Sequence, residues 1–210
     1  MKIFLTGTDT DVGKTVIASW LCMHANYDYW KPIQTGSIVS SDTKFVNKFL
    51  PNKTHKEAYI YQYPQSPHLA AKLENEVINI EQIMLPNSGK LIIEGAGGVL
   101  VPLNQDQKMI DLIKLFKTPV IIVARSSLGT INHTLLTIEM LRSRNIPIIG
   151  VITNGEENIE NNKAIEYYGQ VDVLASFPQL KRITNQSLQA ITFSNKLNSI
   201  FDLKINENVQ

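Results

Sequence analysis

Three groups of side chains in this sequence carry the residue types of phosphate and metal chemistry. The first is Gly7-Thr8-Asp9-Thr10-Asp11-Val12-Gly13-Lys14-Thr15, which follows the apolar run Ile3-Phe4-Leu5 and precedes a stretch with helical spacing. That is the strand–loop–helix setting of a P-loop. Its glycines let successive backbone N–H groups turn toward phosphate oxygens, and the helix N-terminus adds partial positive charge. Lys14 would reach the terminal phosphates, and the Thr15 hydroxyl would ligate Mg²⁺. The spacing is unusual: five residues separate Gly7 from Gly13, and Thr8 stands where the first glycine usually is.

The second group is acidic. Mg²⁺ takes oxygen ligands and keeps several waters, so Thr15 alone is not enough. Glu94 ends the run Leu91-Ile92-Ile93 and is followed by Gly95-Ala96-Gly97-Gly98, a slim backbone that a ligand can approach. It has the position of a metal-binding acid beside the P-loop strand; the competing reading is a carboxylate that caps a helix. Asp42, after Ser40-Ser41, is a second candidate, although on residue type alone a helix N-cap is the simpler reading. The third group is Lys31, in Trp30-Lys31-Pro32-Ile33-Gln34-Thr35-Gly36. Alone it reads as a surface lysine. At a strand end on the P-loop's rim it would hold an anionic substrate near the γ-phosphate.

These residues need a frame. The runs Ile3-Phe4-Leu5, Leu91-Ile92-Ile93, Val120-Ile121-Ile122-Val123 and Ile148-Ile149-Gly150-Val151-Ile152 are continuous rather than alternating, as in strands buried on both faces. Helical spacing separates them, after Gly13, near Met109 to Phe116 and near Ile131 to Leu141. The alternation predicts an α/β fold, a mostly parallel sheet with helices on both faces, in one P-loop domain over residues 1–205 with a frayed tail at 206–210. Tyr29–Ile33 and Val171–Leu174 are further strand candidates, and helices are expected within 50–88. Ligands in such folds bind beyond the carboxyl ends of the strands, where all three groups fall.

Composition narrows the function. The 210 residues are 43% hydrophobic and carry 20 basic against 19 acidic side chains. Bulk electrostatic binding to nucleic acid or an anionic membrane is not indicated. No apolar stretch approaches the roughly 18 residues of a membrane span, and Asp9 and Asp11 fall too early for a signal peptide. The lone cysteine, Cys22, reads as a small buried hydrophobe in a reducing compartment, so a cytoplasmic location is expected. Trp20 and Trp30 read as core. The four histidines show no metal-binding spacing.

The motifs GTDTDVGKT (7–15), KPIQTG (31–36), SPH (66–68), EGAGGVLVPL (94–103), LGTINHTLLT (128–137) and the late Asn154-Gly155 together resemble those of the dethiobiotin synthetases, ATP-dependent carboxylases of biotin biosynthesis, in the family's order. The resemblance implies a ligase that takes 7,8-diaminopelargonate, CO₂ and ATP. It implies nucleotide contacts by Asp11, Val12, Gly13, Lys14, Thr15, Val16, Gly95, Ala96 and Gly97, and Mg²⁺ held by Thr15, Asp42 and Glu94. It implies a substrate carbamate held by Lys31 with Thr10 nearby and Thr35 as a substrate contact. Gly129, Thr130 and Asn132 would cross a homodimer interface to grip the substrate's far carboxylate. Asn154 and Gly155, with the turn Phe177-Pro178-Gln179, would contact the nucleobase. Asp11 replaces the family's glutamate and Gly155 a commoner aspartate, which leaves base choice open. The rival readings are a ParA/MinD-type nucleotide switch, a P-loop small-molecule kinase and a P-loop amidoligase. Against them stand Asp9 where the switch proteins carry a second lysine, only four arginines with no arginine-rich lid, and a Cys22 badly placed to be a nucleophile.

Overall fold

The computed structural model describes residues 1–203; the tail expected at 206–210 lies outside them. The elements run β1 (Lys2–Gly7), α1 (Lys14–Ala25), β2 (Asp28–Trp30), β3 (Ile33–Gln34), α2 (Asp42–Asn47), β4 (Thr54–His55), β5 (Tyr59–Ile60) and α3 (Pro67–Leu73). There follow β6 (Leu91–Gly98), α4 (Met109–Phe116), β7 (Val120–Arg125), α5 (Thr130–Ser143), β8 (Ile148–Asn154), α6 (Ile159–Gly169), β9 (Val173–Phe177), α7 (Asn185–Gln189) and α8 (Asn195–Ile200).

Seven strands form one sheet in the order β4-β2-β6-β1-β7-β8-β9, and every pairing in it is parallel. The continuous apolar runs are the reason: each strand must feed two cores. Phe4, Leu91, Ile93, Val120 and Ile122 point into one, beneath α3, α4, α5 and α6. Ile3, Leu5, Ile92, Ile121 and Val123 point into the other, beneath α1, α7 and α8. Trp20, Trp30 and Cys22 are buried, as expected.

The chain leaves β1 at the centre of the sheet, with earlier connections built to one side and later ones to the other. The loop after β1 thus opens at a topological switch point, where ligands of α/β folds bind.

Two expectations need correction. Tyr29–Ile33 is not one strand: β2 stops at Trp30, and β3 pairs with β5 in a separate two-stranded ribbon. Pro32 between them lacks the N–H that a continuous strand requires. Lys31 therefore sits at a break in the backbone. Residues 50–88 hold one short helix, α3, a 3₁₀ turn at Ile80–Gln82 and the short strands β4 and β5. Prolines 51, 64 and 86 interrupt the helical pattern there, and only Pro67 is accommodated, in the first turn of α3.

Candidate active site

Period-2 geometry puts the chemistry on one face. Tyr29 pairs with Ile92, and both belong to the α1-side core. Glu94, two residues on, therefore points to the same side, toward the start of α1. The strand does not end at Glu94 but continues to Gly98, so this carboxylate lies within β6 and caps no helix. It is 1% exposed.

Four side chains meet there. Thr15 Oγ1 lies 3.0 Å from Glu94 Oε1 and 3.1 Å from Asp42 Oδ1. Lys31 Nζ donates to Glu94 Oε1 at 3.1 Å and forms an ion pair with Asp42. Ser41, not Asp42, is the N-cap of α2: its hydroxyl accepts from the Lys44 N–H. Asp42 is freed for the site, and its own N–H donates to the Gln34 side chain at 2.9 Å. Lys31 is 6% exposed and is no surface lysine. Burial works against its ammonium, but Glu94 and Asp42 more than compensate and hold its pKa above the ordinary value. Lys14 shows the opposite balance: burial pushes its pKa down, and the charges of Glu94 and Asp42 only partly restore it.

The donor set is two carboxylates and a hydroxyl. Among the described residues no three His, Cys, Asp or Glu side chains cluster around a metal position. Lys31 pairs with both carboxylates from one side, and the oxygens of Thr15, Asp42 and Glu94 converge as a set of hard donors that suits a divalent cation. Hard ions that retain water are held in this way.

The P-loop is tied down from two sides. Lys14 Nζ donates to the Asp9 carbonyl at 3.0 Å. Asn154, at the end of β8, donates to the Val12 carbonyl at 2.9 Å. Gly13 has φ 93°, and a Cβ there would collide with the Asn154 amide, so glycine is required twice over. Asp9 accepts from Arg125 at 2.8 Å. Thr10 and Asp11 are exposed at the loop tip, and a Cβ on Gly97 would lie 3.7 Å from Thr10 Oγ1. Val16 is half-buried in the first turn of α1. Gly95 and Ala96 are buried within β6.

Beside this loop lies a cavity of about 610 Å³ lined by Asp11, Val12, Arg125, Asn154, Gly155 and Gln179, among others. Phe177 does not line it. Its side chain packs edge-on against Trp20, with ring centroids 5.1 Å apart, in the α1-side core. Only its backbone serves the rim, accepting from the Gly155 N–H at 2.9 Å. Pro178 is exposed and absent from the cavity lining. Thr35 is half-buried, and its carbonyl accepts from the Gln34 amide. Gly129, Thr130 and Asn132 start α5, where Thr130 is buried and Gly129 and Asn132 are exposed. No hydrogen bond among the described residues joins them to the Lys31 cluster.

A family model described as an AAA domain matches residues 1–187. The protein named ATP-dependent dethiobiotin synthetase BioD of Lawsonia intracellularis (strain PHE/MN1-00) is 52% identical over 201 residues, covering 96% of this chain and 99% of its own. The protein of the same name from Paramagnetospirillum magneticum (strain ATCC 700264 / AMB-1) is 46% identical over 191 residues, covering 90% and 93%. The chain belongs to the dethiobiotin synthetase family. Among solved structures, the MinC:MinD cell division protein complex of Aquifex aeolicus aligns with a TM-score of 0.55 at 12% identity, covering 99% of this chain and 98% of its own. That likeness is one of fold. The switch-protein rival thus keeps the architecture alone, while the motifs GTDTDVGKT, KPIQTG and the Glu94 of EGAGGVLVPL fall on the Lys31 cluster and the P-loop.

Motif reading missed three members of the site: Tyr29, whose hydroxyl donates to Glu94 Oε2 at 2.9 Å, Gln34 beneath Asp42, and Arg125 on Asp9. Gln34, within the quoted KPIQTG run, and Arg125 carried a signal of place alone, since both lie just past the end of an apolar run. No helix among the described residues is long and apolar enough to cross a membrane.

Proposed function

We propose that this chain is an ATP-dependent ligase that carboxylates 7,8-diaminopelargonate and closes it to dethiobiotin, with ADP and phosphate as co-products. The observation that carries the reading is the convergence of a second lysine, Lys31, with Thr15, Asp42 and Glu94 beside the P-loop lysine. In the ParA/MinD-type switch the second lysine belongs to the loop itself, at the position Asp9 holds here, whereas Lys31 comes from beyond β2.

One substrate amine takes up CO₂ as a carbamate. A carbamate oxygen attacks the γ-phosphorus of ATP and ADP leaves, giving a carbamic–phosphoric anhydride. The second amine attacks the carbonyl carbon, phosphate leaves, and the cyclic urea closes. Mg²⁺ held by Thr15, Asp42 and Glu94 would offset charge on the transferring group. Lys14 binds the terminal phosphates. Lys31 stays an ammonium at neutral pH, because Glu94 and Asp42 outweigh its burial, and it orients the carbamate toward the phosphorus, with Thr10 acting from the tip of the P-loop. The nucleophiles belong to the substrate, so the chain supplies position and charge rather than a general base.

The nucleobase enters the cavity beside Asn154, Gly155 and Gln179. The active form is a homodimer in which Gly129, Thr130 and Asn132 of one protomer reach the substrate's carboxylate in the other. Exposed Leu128, Leu136, Tyr167 and Tyr168 around α5 and α6 support that reading, since exposed apolar patches mark interfaces. The buried free thiol of Cys22 suits the cytoplasm. The test supplies ATP, Mg²⁺, bicarbonate and the diamine, and follows phosphate and dethiobiotin by mass. Product that requires all four is expected; phosphate release without the diamine and without product overturns the reading.

A further inference from the structure

We infer that Tyr29 is a positioning residue for the metal site: its hydroxyl fixes the rotation of the Glu94 carboxylate and so sets divalent-cation affinity. The inference rests on the proposed metal role of Glu94. Tyr29 is fully buried and lies on β2, the neighbour of β6, in register with Ile92. Its side chain therefore runs along the face that Glu94 shares. The hydroxyl donates to Glu94 Oε2 at 2.9 Å. The other oxygen, Oε1, faces Thr15 Oγ1 at 3.0 Å and Lys31 Nζ at 3.1 Å. The two oxygens are thus divided. One is held from behind by a neutral donor, and one is presented to the site.

A phenylalanine would fill the same core volume, so the hydroxyl is what the tyrosine adds. Without it, Oε2 loses its hydrogen bond inside the core, and the carboxylate is held from one side only, at Oε1, by the groups a cation must compete with. Groups that orient a ligand from behind carry much of a site's affinity, and their loss costs about 10- to 100-fold in metal binding.

The experiment measures Mn²⁺ binding by electron paramagnetic resonance in the whole chain at saturating ADP. Tyr29→Phe should weaken Mn²⁺ about 10- to 100-fold, while ADP affinity in EDTA stays as in the unaltered chain. A purely structural role would move both or neither. In a Glu94→Gln background, removing the hydroxyl should add little, because the oriented carboxylate is already gone. Equal Mn²⁺ binding by Tyr29→Phe and the unaltered chain overturns the inference. No Mn²⁺ binding by the unaltered chain instead overturns the metal site itself. Should Tyr29→Phe not fold, 3-fluorotyrosine in the unaltered chain gives a second measurement. One of the seven tyrosine signals should shift when Mg²⁺ is added at saturating ADP, and none moving overturns the inference.

Discussion

Two clusters in this molecule have the same composition, one lysine between two carboxylates, and lie at opposite rims of the sheet. Lys31 follows β2 and meets Asp42 and Glu94. Lys196 meets Glu166 and Asp172 at 2.8 Å each, just before β9. The second has short, regular contacts, but its side chains are 45%, 39% and 64% exposed. Water already solvates all three charges, so the pairing changes little. In the first, the side chains of Lys31 and Glu94 are 8% and 1% exposed. Each charge there depends on its neighbours, and removing Lys31 leaves the Glu94 carboxylate buried without its paired ammonium. Ion pairing as such does not mark a site. Burial, a shared hydroxyl and an adjoining P-loop do.

The largest effect is expected from Lys31→Ala. Dethiobiotin formation should fall about 10²- to 10³-fold in kcat, the usual loss for one preorganised charge, whereas Lys196→Ala should leave kcat unchanged. Steady-state phosphate release on both variants checks this, and equal losses would erase the contrast between the clusters. Lys31→Met should also cost up to about 3 kcal/mol of stability in EDTA, less than a fully dry pair because Asp42 is 26% exposed. Mg²⁺ with ADP should restore much of that, since a bound cation replaces the lost charge. Urea titrations with and without the metal complex measure the difference.

Gly13→Ala comes next. The substitution places a side chain at φ 93° and against the Asn154 amide. Backbone strain of this type costs about 1–3 kcal/mol, and here it falls on the loop that cradles phosphate. Calorimetry should show ADP binding weakened by about tenfold or more, 1.4 kcal/mol being a factor of ten. Unchanged binding would mean that the Asn154–Val12 tie is dispensable.

These positions also show what the sequence made legible. Lys14, Thr15 and Glu94 were readable because each sits at a fixed offset from an apolar run, and strand ends fix direction. Asp42 and Lys31 were ambiguous: an Asp after two serines suits a helix start as well as a metal, and only the fold moves the cap to Ser41. Tyr29 gave no signal, because a cross-strand contact has no sequence spacing, and Arg125 had only its place just past an apolar run. Phe177 misled for a related reason. Its turn reaches the cavity rim, but the last residue of a strand still alternates, and its ring falls on the Trp20 side. The 50–88 segment holds the expected helix only as α3, because the short strands β4 and β5 hold position through neighbours distant in sequence, not through local pattern.

The smallest effect sharpens the comparison from the other side. The hydrogen bond from Lys196 lowers the Glu166 pKa, and the hydrogen bonds to Asp172 and Glu166 raise that of Lys196. A depressed carboxylate stabilises the fold above its unfolded value, and that contribution is lost as pH falls through the folded one. A raised lysine stabilises it below its unfolded value, and that contribution is lost as pH rises through the folded one. The two windows overlap from about pH 5 to about pH 10, so the stability added by this cluster should be flat across that range. Its size should be below about 1 kcal/mol and should shrink in high salt, because exposed pairs are screened. Urea denaturation of Lys196→Ala against the unaltered chain, at low and high salt, measures it. A loss well above 1 kcal/mol that survives salt would mean that this rim is covered in solution. The contrast between the clusters would then be one of partner rather than of place.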